Sequence, residues 1–404
     1  AAEKQTANQR VAKTGIEMEA ADRTPDNVAI DLDRTGTMTG EKIAQARDAA
    51  IAAIERLRAD DIVSVVTYDD IVNVIVPATK VSDRETIYAA IRQIQPGNST
   101  ALFAGVSKGA AEIRKFLDSR RVNRVILLSD GIANVGLSSP DDLGELGASL
   151  RREGISVTTV GHGLDYNEDL MVKLASRSDG NHAFVENAVD LARIFNAEFG
   201  DVLSVCAQDV RVRIQCAPGI RPIRVLGRDA EIAGQDVYVS LNQLYGGQLK
   251  YVMLEVEVPG GSVGQSLNVA SVDVTYANMK SASRDELHRA LAVTLTNSPD
   301  AVEQSVNKDV MIAAVREIGS ETSRRAIELR DQGKIEEARS AIVGNRSFYL
   351  NNAQTLQSEE LLKDSEEAAE DLSNLDNANW GMQRKVMKEK TNAVSKQQMY
   401  KGKQ

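Results

Sequence analysis

Long apolar runs are scarce in this 404-residue sequence, and basic residues are fewer than acidic ones, 48 against 58. No stretch approaches the ~20 consecutive apolar residues that a membrane-spanning helix needs, so we expect no membrane span. The first fifteen residues lack the apolar core of a signal peptide, although export after removal of a signal stays open. The formal net charge is -10, which argues against a nucleic-acid partner because such a partner requires a basic face.

Cysteine and histidine are also rare. The two cysteines, Cys206 and Cys216, are separated by ten positions within a sequence typical of a strand. On one straight strand an even separation places both on the same face but too far apart for a disulfide. Buried free thiols indicate a reducing compartment, so we predict a cytoplasmic protein. The three histidines, His162, His182 and His288, pair with no identifiable nucleophile, which favours capping or packing roles over catalysis.

The hydrophobic pattern divides the chain near residues 203 and 283. From 26 to 203, apolar runs such as VAIDL (28–32) and RVILLS (124–129) alternate with amphipathic stretches such as 40–57. Strands that alternate with helices predict a parallel sheet covered on both faces, which is an α/β, doubly wound, Rossmann-like domain. The run 72–78 follows its predecessor after a tight turn, so we expect an antiparallel edge strand there.

Between 204 and 283 the pattern changes to a period of two. Runs such as DVYVSL (236–241) and SLNVASVDVTYAN (266–278) alternate apolar and polar side chains, which predicts an antiparallel β-sandwich that serves as a structural platform. The N-terminal segment 1–25 contains an extended-looking stretch, 11–20. We expect this stretch to join the sandwich as a discontinuous strand.

The remaining region, 284–404, is predicted to be helical from SRDELHRALAVTL onward. A turn at Gly333-Lys334 has the layout of a helical hairpin. Residues 359–376 are strongly acidic and 384–403 strongly basic. Two interpretations stay open for these segments: two solvated helices or tails, or docking of the segments on each other or on an acidic partner.

Three polar clusters follow or precede the predicted elements of the α/β domain. They are Asp33-Arg34-Thr35-Gly36-Thr37, Asn98-Ser99-Thr100 and Ser129-Asp130-Gly131. Ligands of open α/β sheets bind beyond the carboxyl ends of the strands, where we expect these clusters to meet. Each cluster alone is typical of a helix cap or a turn. Together they supply carboxylate and hydroxyl oxygens, which suit Mg²⁺ or Mn²⁺ and suit zinc poorly.

These clusters resemble the three loops of the metal-ion-dependent adhesion site (MIDAS) in the von Willebrand factor A (VWA) domain family. TVGHG (159–163) and DGNHAFV (179–185) are similar to the last strands of bacterial VWA proteins. The downstream regions are similar, more loosely, to the bacterial calcium-activated-chloride-channel-like subgroup. The resemblance implies a non-enzymatic module in which a partner protein's acidic residue completes the shell of a divalent cation. The implied metal residues are Asp33, Thr35, Thr37, Thr100 and Asp130.

Two features depart from the family pattern. Thr35 and Thr37 stand where serine is usual, and their methyl groups restrict the rotamer and crowd an ion, so we expect weak Mg²⁺ or Mn²⁺ binding. Asp31 occupies a strand position where an aliphatic residue is usual. A buried carboxylate must be neutralised or paired. Asp31 either joins the metal cluster as a distant negative charge or has a basic or backbone partner, and we expect the partner.

Asp31 also supports an alternative from another class. Asp31-Leu32-Asp33-Arg34-Thr35 matches the DxDxT loop of haloacid-dehalogenase-like phosphohydrolases. Asp31 would then be the nucleophile, Asp33 the general acid/base and Ser129 a phosphate contact. That chemistry also needs a lysine and a late acidic pair, but Lys173 falls within a helical pattern and no predicted strand after it ends in paired carboxylates. The alternative also leaves Thr100 and Asp130 without roles.

Overall fold

The computed structural model describes residues 24–131, 135–186, 190–191, 193–195, 205–246, 249–376 and 379–397. The expected pairing of 11–20 with the β-sandwich lies outside these residues. So does most of 187–203, where the sequence predicts the last helix of the α/β domain. Among the described residues, no helix is long and apolar enough to cross a membrane.

A six-stranded sheet forms the centre of the α/β region. Its spatial order is β3-β2-β1-β4-β5-β6, in which β3 pairs antiparallel with β2 and the other neighbours are parallel, so the predicted antiparallel edge is confirmed. The strands are β1 (Asp26–Asp33), β2 (Ile62–Tyr68), β3 (Val72–Lys80), β4 (Val122–Ser129), β5 (Ile155–His162) and β6 (His182–Val185).

Helices cover both faces of this sheet, as the alternation of strands and helices predicts. They are α1 (Glu41–Glu55), α2 (Arg84–Arg92), α3 (Leu102–Arg114), α4 (Pro140–Arg152) and α5 (Glu168–Ser178). Val28, Ile30 and Leu32 of β1 point into the core beneath α1 and α2. Ala29 points into the core beneath α3, α4 and α5. Because strand side chains alternate, Asp31 and Asp33 lie on the same face of β1 as Ala29.

A five-stranded antiparallel sheet, in the order β13-β12-β7-β10-β9, and a two-stranded sheet, β11-β8, form the second region. Apolar side chains of both sheets share one core. Cys206 and Cys216 both lie on β7, buried and free of a disulfide. The strands are β7 (Val205–Cys216), β8 (Arg221–Leu226), β9 (Glu231–Ala233), β10 (Asp236–Tyr245), β11 (Met253–Glu257), β12 (Ser266–Asn278) and β13 (Ser283–Thr294).

The predicted helix over SRDELHRALAVTL is wrong. These residues form β13, which pairs antiparallel with β12 from Ser283↔Asn278 to Thr294↔Ser266. Leu287, Leu291 and Val293 pack against the core of the second region, whereas the residues between them, His288, Arg289, Ala290 and Ala292, face solvent. Hydrogen bonding to β12 and this one-sided burial override the local helical pattern. The helical C-terminal region therefore begins after β13.

That region contains α6 (Pro299–Ser305), α7 (Lys308–Asp331), α8 (Ile335–Leu356), α9 (Glu359–Ser373) and α10 (Trp380–Lys396). The predicted helical hairpin is present, since α7 and α8 are joined through Gly333, whose φ of 77° suits glycine. The basic helix α10 packs against α5 and β6 of the α/β region. Its cations contact carboxylates there, and one ion pair, Lys390–Glu367 at 3.3 Å, joins it to the acidic helix α9.

Candidate metal site

The three polar clusters meet at the carboxyl edge of the six-stranded sheet, as the topology requires. The parallel pairing of β1 with β4 sets Leu32 opposite Leu128, so the loops that follow both strands begin side by side. The Gly36 N–H donates to the Asn98 carbonyl over 2.9 Å, which joins the first cluster to the second. The Val135 N–H donates to the Thr100 carbonyl over 3.2 Å, which joins the third loop to the second.

Three threonine hydroxyls surround one point in this edge. A Cβ atom built on Gly131 would lie 3.1 Å from Thr100 Oγ1 and 3.6 Å from both Thr35 Oγ1 and Thr37 Oγ1. The Thr35 and Thr37 hydroxyls are themselves 3.0 Å apart. Glycine at 131 leaves the space between these oxygens free of a side chain. The sequence alone could not establish this convergence, because it depends on loop geometry.

Two buried carboxylates flank the hydroxyls. Asp33 accepts from the Thr35 N–H at 2.8 Å and from the Ser129 hydroxyl at 2.7 Å. Burial raises the pKa of Asp33 to about 6, although the hydrogen bonds from Ser129 and Thr35 oppose that shift. Asp130, fully buried at the end of β4, accepts from the Thr37 hydroxyl at 2.8 Å. All five predicted site residues therefore lie in one contact network or around Gly131.

A lysine that sequence reasoning missed belongs to this network. Lys42, in the first turn of α1, donates to Asp130 Oδ2 at 2.5 Å. A cation in the first turn of a helix opposes the helix dipole, and that unfavourable position is the signal that marks Lys42 in the sequence. His162 lies in the same neighbourhood, where burial and then the charge of Lys42 lower its pKa.

Asp69 is a second residue that sequence reasoning did not assign to the site. It forms an ion pair with Arg34 at 2.7 Å, and its backbone carbonyl accepts from the Ala101 N–H at 2.8 Å. A Cβ on Gly97 would overlap its carboxylate, so that glycine permits the close approach. Asp69 thus ties the end of β2 to the first and second clusters and fixes their relative positions.

The expectation that Asp31 finds a basic or backbone partner is wrong. Both carboxyl oxygens lack a hydrogen-bond partner among the described residues, and the side chain is fully buried. The carboxyl packs against the backbone of α3, where a Cβ on Gly109 would lie 2.6 Å from its Cγ. Burial, and then the charge of Glu112, raise the pKa of Asp31 well above its ordinary value. Burial therefore favours the protonated, uncharged form of this carboxyl.

The phosphohydrolase alternative finds no support in this geometry. A nucleophile must reach its substrate, but Asp31 is enclosed between β1 and α3 with no exposed surface. Lys173 lies in α5, where its ammonium is 3.8 Å from Asp141 on the exposed surface.

The residues at the edge fit a hard divalent cation. Among the described residues, no group of three or more histidine, cysteine or acidic side chains could hold a metal. An ion bound here would thus depend on two carboxylates together with hydroxyls, and an all-oxygen set suits Mg²⁺ or Mn²⁺. The space beside Gly131, next to the three threonine hydroxyls, is where such an ion would lie.

Comparisons with known proteins agree with this architecture. The chain is 27% identical over 194 residues to the uncharacterized protein YfbK of Escherichia coli (strain K12), an overlap of 48% of this chain and 34% of YfbK. It is 24% identical over 301 residues to the uncharacterized protein sll0103 of Synechocystis sp., an overlap of 71% of both proteins. The chain thus spans about a third of the first relative and most of the second.

A solved structure described as von Willebrand factor type A from Catenulispora acidiphila superposes with a TM-score of 0.70 at 16% identity, covering 87% of this chain and 82% of that one. At that identity the likeness shows the fold alone. The family model described as von Willebrand factor type A domain matches residues 27–197, which span the six-stranded sheet and its helices. Residues 27–197 of this chain therefore form a von Willebrand factor type A domain.

Proposed function

We propose that this chain binds a protein ligand through a Mg²⁺ or Mn²⁺ ion held at a MIDAS-like site. The observation that supports this most directly is the convergence of the Thr35, Thr37 and Thr100 hydroxyls around Gly131, beside the carboxylates of Asp33 and Asp130. The two carboxylates match the charge of a divalent ion but, with the three hydroxyls, leave its six-coordinate shell incomplete, so an acidic side chain from a partner would complete that shell. The bacterial calcium-activated-chloride-channel-like subgroup is the proposed placement of the whole chain.

The chain's own residues would position the ion before the partner arrives. The Ser129 hydroxyl and the Thr35 N–H hold the Asp33 carboxylate in place, and the Thr37 hydroxyl orients Asp130. Loaded with metal, the site supplies a positive centre for an acidic group. The rigid ends of β1 and β4 carry these residues, so affinity depends on the geometry of the sheet edge.

Exposed apolar side chains around the site favour a protein as the ligand. Ile71 is 59% exposed, Leu137 53% and Leu164 54%. Each lies within two residues of a contact already described: Asp69 for Ile71, Val135 for Leu137, and His162 for Leu164. Apolar side chains grouped around a polar centre are typical of protein-interaction surfaces. The buried free thiols of Cys206 and Cys216 support a reducing compartment and hence a cytoplasmic location.

Titration calorimetry with Mn²⁺ tests the metal site. We expect one weak site in the wild type and at least about tenfold weaker binding in Asp130→Asn, because an amide removes a charge-bearing ligand. Asp48→Asn, an exposed change on α1, serves as the matched control and should bind as the wild type does. Equal binding by wild type and Asp130→Asn would reject the site.

Affinity capture from the native organism tests the protein ligand. We expect proteins retained in Mg²⁺ to be released by EDTA and lost with Asp130→Asn as bait. Leu164→Ser should weaken the same capture without changing Mn²⁺ binding, because Leu164 is exposed beside the site and offers no ligand atom in its side chain. If captured proteins were retained in EDTA and also on the Asp130→Asn bait, recognition would not depend on the metal.

A further inference from the structure

The ammonium of Lys42 already occupies one oxygen of the candidate metal site. Lys42 Nζ lies 2.5 Å from Asp130 Oδ2, and the Thr37 hydroxyl takes the other carboxylate oxygen at 2.8 Å. The lysine side chain is 31% exposed and the aspartate 0%. Asp130 is therefore already paired with a positive charge of the same domain. The ammonium lies at the end of the flexible four-carbon side chain of Lys42, which extends from α1.

The charges that face the site favour this arrangement. Asp33 and Asp130 are the acids at the edge, Arg34 is paired with Asp69, and burial lowers the pKa of His162 so that it stays neutral. With both acids ionised, Lys42 reduces the net charge around the site from minus two to minus one. A divalent ion then leaves an excess of one positive charge, which an acidic side chain from outside would balance.

We propose that Lys42 is a built-in competitor cation that keeps metal binding weak and couples it to an anionic partner. This inference rests on the proposed function and concerns the regulation of the same site. Without a partner, the ion must share Asp130 with the ammonium or displace it. With a partner carboxylate present, the excess positive charge is neutralised, so metal and partner strengthen each other's binding by the same factor.

Two other roles for Lys42 predict different results. If Lys42 only ties α1 to the end of β4, its removal lowers thermal stability and leaves metal affinity unchanged. If Lys42 orients Asp130 for the ion, its removal weakens metal binding. The competitor role alone predicts that removing the ammonium strengthens metal binding, so the sign of the change decides between them.

The test is Mn²⁺ titration of the full chain with Lys42→Met, which keeps the apolar stem and removes the charge. We expect the Kd for Mn²⁺ alone to fall by about tenfold or more, because a nearby like charge is removed from a partly buried site. Lys42→Arg retains the positive charge, so its Mn²⁺ binding should remain as weak as that of the wild type. Lys115→Met is the matched control, because Lys115 lies 2.6 Å from the buried Glu112, away from the site, and its loss should leave the Kd unchanged.

Thermal melting gives a second readout that does not require a partner. In EDTA, Lys42→Met should melt below the wild type because Asp130 loses its counter-charge, and excess Mn²⁺ should raise the Tm of Lys42→Met more than that of the wild type. Lys42→Gln offers a polar replacement if the methionine variant does not fold. A metal-induced rise that is equal or smaller in the variant overturns the proposal.

Acetate, as a stand-in for a partner carboxylate, tests the coupling. At matched ionic strength, acetate should lower the Kd of the wild type for Mn²⁺ by a larger factor than that of Lys42→Met. If acetate lowers the Kd of both proteins by the same factor, the proposed coupling to an anionic partner is wrong. If the wild type binds Mn²⁺ and Lys42→Met binds it equally or more weakly, this inference alone fails. If neither protein binds Mn²⁺, the metal site itself is rejected and the inference falls with it.

Discussion

At the scale of single residues, Asp31 and Gly109 form a matched pair. The Asp31 carboxyl lies where any side chain at 109 would begin, so the glycine lets α3 approach β1 and the aspartate fills the space. The uncharged acid still lacks hydrogen-bond partners among the described residues. A buried unsatisfied polar group costs about 1–3 kcal/mol, so this contact lowers stability while it fixes the position of α3.

We predict that Gly109→Ala lowers the free energy of unfolding by about 2 kcal/mol, because its methyl group overlaps the Asp31 carboxyl. In an Asp31→Ala background, Gly109→Ala should lower the free energy of unfolding by less than half of that amount. Gly344→Ala is the control, since that helical glycine has open space around it, and should gain about 0.5–1 kcal/mol. Urea unfolding of the four-protein cycle measures the coupling, and additive effects would contradict it.

The sequence predicted which side chains gather at the sheet edge but not how they are satisfied. Asp33, Thr35, Thr37, Thr100 and Asp130 could be found because strand order brings loop residues together. The absence of a partner for Asp31 could not, since it depends on the distance between β1 and α3. Lys42 was missed because its role arises only when α1 is packed beside β4.

At the scale of elements, α10 closes the open side of the VWA sheet. Lys385 donates to Glu168 at 2.5 Å, and Arg384 bonds to Asp169 at 2.8 Å and to Asp331 of α7 at 2.7 Å. Glu389 accepts from the backbone N–H of Phe184 on the edge strand β6 at 3.3 Å. The basic helix α10 is therefore docked between α7 and the α/β region, and it covers an edge that would otherwise invite strand pairing.

We predict that Arg384→Ala lowers the free energy of unfolding by about 2 kcal/mol, because it leaves the buried Glu168 of α5 and the more exposed Asp331 of α7 without their shared cation. Amide exchange should accelerate in β6 and α10 before it does in β1 and β4. Arg221→Ala, which removes an exposed pair with Glu257 at 2.5 Å, is the control and should lose less than about 1 kcal/mol. Equal losses in the two variants would show that Arg384 does not hold α10.

The elements of the VWA domain followed from periodicity, whereas β13 did not. Its apolar residues satisfy a helical spacing and an alternating one over the same stretch, and the choice depends on the hydrogen bonds offered by β12. The docking site of α10 was equally hidden, because a run of lysines and arginines does not reveal which acids it faces. The local hydrophobic pattern predicts a helix or a strand reliably only when the apolar residues follow one of the two periodicities and not both.

At the scale of the whole molecule, Asp179 joins all three regions. It ends α5 in a left-handed conformation with φ of 60°. Its carboxylate accepts from the Asn242 N–H of β10 at 2.5 Å and from Lys396 of α10 at 3.2 Å. Burial alone would raise the pKa of Asp179, but Lys396, Lys250 and Arg228 hold it well below its ordinary value. The charged form thus stabilises the assembly of the regions.

We predict that Asp179→Asn lowers the free energy of unfolding by about 3 kcal/mol at pH 7, because buried cations lose their counter-charge. The pKa of Asp179 is lowered on folding, so its stabilisation is complete above the unfolded pKa of about 4 and disappears as the pH falls. The difference between wild type and variant should therefore shrink below pH 4 in calorimetric melts.

Asp229→Asn is the matched control for this prediction, since Asp229 pairs with Arg177 of α5 at 2.5 Å across the same boundary but on the exposed surface. Its loss should stay below about 1 kcal/mol at any pH. If the stability difference between wild type and Asp179→Asn instead grew as the pH fell, the pKa of Asp179 would be raised on folding, and the stabilising role of its charged form would be refuted.

Strand β4 gives the molecule a mechanical axis. Near its start, Arg124 is buried against Gln243 at 2.8 Å and against Tyr245 of β10; Asp130 follows its end, about 20 Å away for six extended residues. β4 is paired on one side with β1 and on the other with β5. If a protein bound at the site were pulled against the second region, part of the tension would run along β4, and the hydrogen bonds of both ladders would share it in shear. Such a pull would be resisted collectively, whereas a peeled edge strand would open one bond at a time.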